Sequence, residues 1–285
     1  MSNTETNPES KLDSYSIITA EVMLASELRR KIKRWSSLFF LIIFYLLLVS
    51  CGGDAPEQDL GPHVAKVTID SVIESDKQPW YKQLQKVVLS NRVKGLVLVL
   101  DSPGGVVHVA EASHSMLQRI RSNGVPIVAV VRSQATSAAY LLASAADAIV
   151  ANETSILGSI GVKSSITIFK EMLTKLGISV QTSGVGQSLT EVPFSGISPF
   201  TQKFLDLTGE DSYTWFKDAV QSNRHFNEAQ IDKVVGGKIF TGSESIKLGL
   251  VDYIGDLQLS YSLLASFYPD KILPTVVDYS TDPAS

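Results

Sequence analysis

Two short runs constrain this chain most. "KGLVLVL" at 94–100 and "VPIVAVV" at 125–131 are almost wholly apolar, and each is followed by helix-forming sequence. An apolar run of that length without alternation reads as a strand buried on both faces, and such strands belong to parallel sheets covered by helices. "VAKVTID" (64–70) alternates like a strand. "PWYKQLQKVVLSN" (79–91) carries Trp80, Leu84, Val87 and Val88 at helical spacing, and "VVHVAEASHSMLQRIRSNG" (106–124) is an amphipathic helix stopped by Gly124. "DAIVAN" (147–152) continues the alternation, and "ITIFKEMLTKLG" (166–177) reads as a further helix. The order βαβαβα predicts one α/β domain on a parallel sheet, without internal repeats or a second core.

Active-site groups in such sheets gather where strands end and helices begin. Two junctions carry suggestive residues. In "LVLVLDSPGGVVHV", Gly104 and Gly105 close a buried strand; they permit a sharp turn and leave N–H groups open to an oxyanion, or they simply form a Pro-Gly turn. In "QATSAAYLLASAAD" (134–147), Ser137 stands at the next junction, as a helix N-cap or as a nucleophile. Consecutive strands are usually neighbours in space, so Ser137 is expected to face the glycine loop. No GxSxG elbow is present.

Ahead of this domain, the basic cluster "RRKIKR" (29–34) precedes the apolar run 35–51, about as long as the shortest membrane-spanning helix. The expected organisation is a polar cytoplasmic tail (1–34), an anchor (35–51), a linker "GGDAPEQDLGPH" (52–63), the main domain (64–260) and a C-terminal extension (261–285). The charge order places the tail inside and the domain outside, at the outer (periplasmic) face of the cytoplasmic membrane. "LVSC" (48–51) resembles a bacterial lipoprotein box, so a retained helix and a lipid on Cys51 are competing anchors.

Composition narrows the function classes. Among 285 residues the single cysteine, Cys51, excludes an internal disulfide and a cysteine metal cluster. The four histidines form no HExxH, and no cofactor or metal is expected. A net charge of −4 gives no reason to expect a nucleic-acid partner. "SGVGQS" lacks the third glycine of a dinucleotide loop, because Leu189 stands there.

"DSPGG" (101–105), "TSAAYLLASAADAIVA" (136–151) and "LGSIGV" (157–162), followed by "FKDAVQSNR" (216–224) and "VVGGKIFTGSESIKLGLVDYIGDL" (234–257), resemble the signal peptide peptidase SppA family, with "DSPGGVVH" closest to its SohB-type members. The resemblance runs from about 64 to 260. It implies a fold like ClpP and the crotonases, a spiral of βαβ units, and a membrane-associated serine endopeptidase. Such enzymes cut remnant signal peptides and other hydrophobic peptides and assemble into rings. It implies Ser137 as nucleophile, Gly104 or Gly105 as oxyanion donor and Ala138 as a second donor.

Two departures stand out. The family's Gly-Gly after the serine is Ala138-Ala139 here, whose methyls are expected to crowd the site if that backbone is left-handed. The family's base is a lysine about 50 residues past the serine, and Gln187 occupies the aligned position. A lysine with a depressed pKa can take the serine proton; a glutamine amide cannot. Two other residues are candidate bases: Lys163, which otherwise reads as a solvated strand end, and His108, which otherwise reads as a supporting residue near the glycine loop; His114 reads as surface. An impaired pseudopeptidase, acting as a peptide-binding or oligomer scaffold, is therefore the alternative function.

Overall fold

The computed structural model describes Trp35, Phe39, residues 41–43, 61–181, 192–268 and 274–281. The chain divides into two compact units, 1–59 and 60–285. In the first, the described residues of the apolar run are helical. No helix among the described residues is long and apolar enough to cross a membrane. The rest of the expected anchor, including Cys51, lies outside the described residues, as does most of the linker.

The second unit is a mixed α/β fold built on one sheet. Its elements are β1 (His63–Ile69), α1 (Pro79–Leu89), β2 (Val93–Ser102), α2 (Val107–Ser122), β3 (Ile127–Thr136), α3 (Ala138–Ser144), β4 (Ala148–Ala151), β5 (Ile156–Gly158), α4 (Lys170–Lys175), α5 (Val192–Ser195), α6 (Pro199–Arg224), α7 (Glu228–Val234), β6 (Ile239–Thr241), α8 (Gly242–Leu248), β7 (Tyr253–Ile254), α9 (Leu257–Ser266) and β8 (Val276–Asp278). The sheet runs β6-β5-β3-β2-β1-β8, with β4 between β3 and β7. All pairings are parallel except β5 with β6.

The apolar runs are central strands because both faces are covered. On one face Leu96, Leu98, Leu100, Ile127, Ala129 and Val131 pack into the large core with Leu84, Leu117, Ile120 and Leu142. On the other, Val97, Val99, Val128 and Val130 meet Leu264 of α9. The edge of β3 is divided: Val128–Val131 pair with β4, and Gln134–Thr136 with β5. That division sets the end of β5 beside the end of β3, where the Gly158 carbonyl accepts from Ser137 N–H.

Three expectations are corrected here. The helix expected at 166–177 is confined to Lys170–Lys175, and residues 162–169 have no regular structure. The β-branched Ile166, Thr167 and Ile168 favour extended backbone, and Phe169 N–H donates to the Pro193 carbonyl at 2.6 Å instead of starting a helix earlier. The strand "VPIVAVV" starts later and runs on to Thr136. The stretch set apart as a C-terminal extension supplies most of α9 and all of β8, which pairs with β1 through Val64–Lys66.

One ion pair ties the end of α6 to the sheet. The Arg224 guanidinium donates to both carboxylate oxygens of Asp252, at 2.6 and 2.9 Å, and to the Gly249 carbonyl at 2.8 Å. Asp252 also accepts from Ile149 N–H at 2.8 Å, and Tyr140 Oη donates to the Leu250 carbonyl at 2.9 Å. Only 9% of the Arg224 side chain is exposed. Removing the cation leaves Asp252 without its main partner, so Arg224→Met is expected to lower stability by about 3 kcal/mol, read as an earlier midpoint in urea unfolding; an unchanged midpoint contradicts this.

Candidate active site

The glycine loop and the serine junction meet. Gly104 has φ of +99°, and a Cβ placed on it would lie 2.8 Å from Ser137 Cβ and 2.7 Å from the Thr136 carbonyl oxygen. Only a residue without Cβ allows the loop this close. Thr136 Oγ1 donates to the Pro103 carbonyl at 2.9 Å, latching one strand end to the other. The loop's far side is held by Ile73, whose N–H donates to the Gly104 carbonyl and whose carbonyl accepts from Val106 N–H. Gly105 is thereby pressed against Ile73, with an added Cβ only 2.0 Å from its carbonyl oxygen.

Ser137 is strained. Its φ is 53° and its ψ −124°, a conformation that costs a non-glycine residue about 1–3 kcal/mol. The surroundings impose it. Ser137 N–H donates to the Gly158 carbonyl at 2.8 Å, and its carbonyl accepts from Leu141 N–H at 3.1 Å. Its hydroxyl makes no capping bond and has no partner among the described residues. The serine is thus held at the entry of α3 without serving as its side-chain cap. The expected crowding by Ala138-Ala139 does not occur, because both residues are helical and buried, and the positive φ falls on Ser137 itself.

The amides differ in their availability. Gly104 N–H donates to Ser102 Oγ at 3.2 Å. The bridge to Ile73 uses the Gly104 carbonyl and Val106 N–H, so it leaves Gly105 N–H unused. Ala138 N–H opens a helix and likewise lacks an intrahelical acceptor. Gly105, Ser137 and Ala138 line one small cleft, whose remaining wall includes Val107, Leu141 and Trp215. A larger groove of about 520 Å³ shares Val162 with this cleft and continues along Ile166, Ile197, Leu205 and Tyr213, with Gln202, Asp206 and Glu210 in the same wall.

None of the candidate bases hydrogen-bonds Ser137 among the described residues. Gln187 lies outside the described residues. His108 and Lys163 are exposed. His114, expected at the surface, is half-buried; its Nε2 accepts from Asn223 Nδ2 at 2.9 Å and its ring meets Trp215 edge-on. Burial, with the Arg121 charge in support, holds its imidazole below the ordinary range.

A residue that the sequence analysis did not single out also belongs here. Ser159 follows Gly158, the acceptor of the Ser137 N–H, and has φ of 52°. Its N–H donates to the Lys238 carbonyl at 2.6 Å. Its place in "LGSIGV" was the available signal.

A strained serine at a strand-to-helix junction, facing a glycine loop with open amides, defines an α/β serine-peptidase type of site. Comparison with known proteins carries this further. The profile of peptidase family S49 matches residues 119–266, and the chain belongs to this family, the serine peptidases of the SppA and SohB kind. It is 31% identical to Protease 4 of Salmonella typhi over 212 residues, covering 70% of this chain and 34% of that protein. It is 33% identical over 161 residues to a Haemophilus influenzae protein named probable protease SohB, covering 56% of this chain and 45% of the other. To the chloroplastic serine protease SPPA of Arabidopsis thaliana it is 26% identical, covering 64% of this chain and 27% of that one. The chain thus spans about a third of the length of Protease 4.

Two outcomes follow. Gly104→Ala sets a methyl against Ser137 and strains φ, so a loss of about 2 kcal/mol is expected, together with loss of Ser137 labelling by a fluorophosphonate. Gly124→Ala also has a positive φ, +77°, but nothing lies within 4 Å, so labelling should survive. Equal behaviour of the two variants contradicts the contact. For His114, the lowered folded pKa means that the unfolded chain binds the extra proton more readily. Its contribution is complete above the unfolded value of 6.5 and is lost as pH falls through the lower folded value. His114→Gln should therefore flatten the fall in urea midpoint on acidification below about pH 6.5; a parallel fall in both proteins rejects this.

Proposed function

We propose that this chain is a membrane-anchored serine endopeptidase for hydrophobic peptides, including remnants of signal peptides, with Ser137 as nucleophile. The observation that supports the reading is the approach of Gly104 to Ser137, with Ser137, Gly105 and Ala138 lining one cleft. In the proposed reaction Ser137 Oγ attacks the peptide carbonyl carbon. The carbonyl oxygen takes the negative charge and accepts hydrogen bonds from Gly105 N–H and Ala138 N–H. The hydroxyl proton passes through a base to the leaving amine, and water then hydrolyses the serine ester. The groove beyond Val162, lined by Ile166, Ile197 and Leu205 together with Gln202, Asp206 and Glu210, is large enough for an extended peptide. Anchoring at the outer face of the cytoplasmic membrane rests on the sequence pattern at 29–51 alone.

The base is the open part of this scheme. No described residue hydrogen-bonds Ser137 Oγ. One source is a neighbouring copy in a ring. Ile168, Phe169, Phe200, Phe204 and Leu207 are all exposed, apolar side chains that contact with another subunit would cover. The second reading is a pseudopeptidase that binds peptides and does not cut them; Gln187, where the resemblance sets a lysine, favours it.

Fluorophosphonate labelling decides between the two. The peptidase reading expects labelling of the wild type that disappears in Ser137→Ala, and faster labelling and cleavage in Gln187→Lys. A folded oligomer that stays unlabelled at every pH, in both wild type and Gln187→Lys, rejects it.

A further inference from the structure

We propose that Trp215 is the specificity-determining residue of this site, restricting the subsite beside Ser137 to the side chain of alanine or to glycine. The inference rests on the reading of Ser137 as the nucleophile, since it assigns the side chain next to the attacked carbonyl to the cleft that Ser137 lines.

The cleft has room for about 20 Å³. That holds about one water-sized sphere, and hence a methyl group but not a leucine or phenylalanine side chain. Beyond Gly105, Ser137 and Ala138, its walls come from Val107 and Ala110 of α2, Leu141 of α3, Ser212, Trp215 and Phe216 of α6, and Gly161 and Val162 after β5. Phe216 and Leu141 are buried in the core, at 5% and 1% exposure, and cannot yield without disturbing it. Trp215 is half-buried and is the largest side chain of the wall. Removing it opens the cleft toward solvent at the least cost to the core.

Trp215 is also braced from behind. The His114 ring packs edge-on against it, with centroids 6.0 Å apart and planes at 85°. His114 is fixed by Asn223, whose Nδ2 also donates to the buried Ser144 Oγ at 3.0 Å and whose Oδ1 accepts from Gln118 Nε2 at 2.8 Å. The indole is therefore packed between the cleft and a hydrogen-bonded array linking α2, α3 and α6. A bulky substrate side chain would have to displace it against that array.

The test uses equilibrium binding to the full chain, which needs no turnover. Fluorescein-labelled tripeptides Leu-Leu-Ala and Leu-Leu-Phe are titrated by fluorescence polarisation. The wild type is expected to bind the alanine peptide at least about ten-fold more tightly than the phenylalanine peptide. Trp215→Ala should tighten the phenylalanine peptide by about ten-fold and change the alanine peptide by less than about three-fold. Trp215→Leu, which keeps an apolar wall and guards against misfolding of the alanine variant, should shift the ratio in the same direction. Equal affinity for the two peptides, a ratio unmoved in both variants, or no binding of either peptide overturns the proposal. Failure of the nucleophile reading has a different signature: Ser137 stays unlabelled by fluorophosphonate while the size preference persists.

Discussion

The structure turns on one close approach, that of Gly104 to Ser137. Two consecutive βα junctions of a parallel sheet lie side by side, but ordinary side chains would hold them apart. Here a glycine with positive φ faces the β-carbon of a serine that itself has positive φ. The Thr136 to Pro103 hydrogen bond closes the same gap from the strand side. Each feature is costly alone, and each is forced by the others. Loop, serine and the start of α3 are therefore best regarded as one unit, in which the strain at Ser137 is the consequence of bringing a hydroxyl to the mouth of a helix without spending it on a cap.

The elements that read clearly from sequence are those whose environment is uniform along the chain. β2 and β3 are continuous apolar runs because both of their faces are covered, and α2 shows its buried stripe because one face is covered. The juxtaposition of Gly104, Gly105 and Ser137 followed from the neighbour rule for consecutive strands. What could not be read depends on distant partners. β6 and β8 are three-residue strands that exist only because β5 and β1 offer them an edge. The burial of His114 depends on Asn223 and Trp215, about a hundred residues away. Positive φ at Ser137 and Ser159 leaves no mark in composition, since serine ordinarily avoids it.

The described parts of the segment 162–207 carry much of the exposed apolar surface of the fold. Within it lie an irregular stretch, a short exposed helix, and a dense set of apolar side chains facing solvent. The position aligned with the family's lysine falls in the same segment, at Gln187. Under the proposed reading, the strand ends of this fold supply the nucleophile and oxyanion donors, and proton transfer falls to a surface that a second copy covers. The strained serine has no hydrogen-bonding side chain beside it among the described residues.

The central claim is that Ser137 Oγ and the amides of Gly105 and Ala138 surround a single carbonyl. The most direct measurement is a crystal structure of the chain with a phosphonate bonded to Ser137. The account predicts the phosphonyl oxygen about 3 Å from both Gly105 N and Ala138 N. An adduct whose oxygen bonds neither amide, with the loop unchanged, contradicts it.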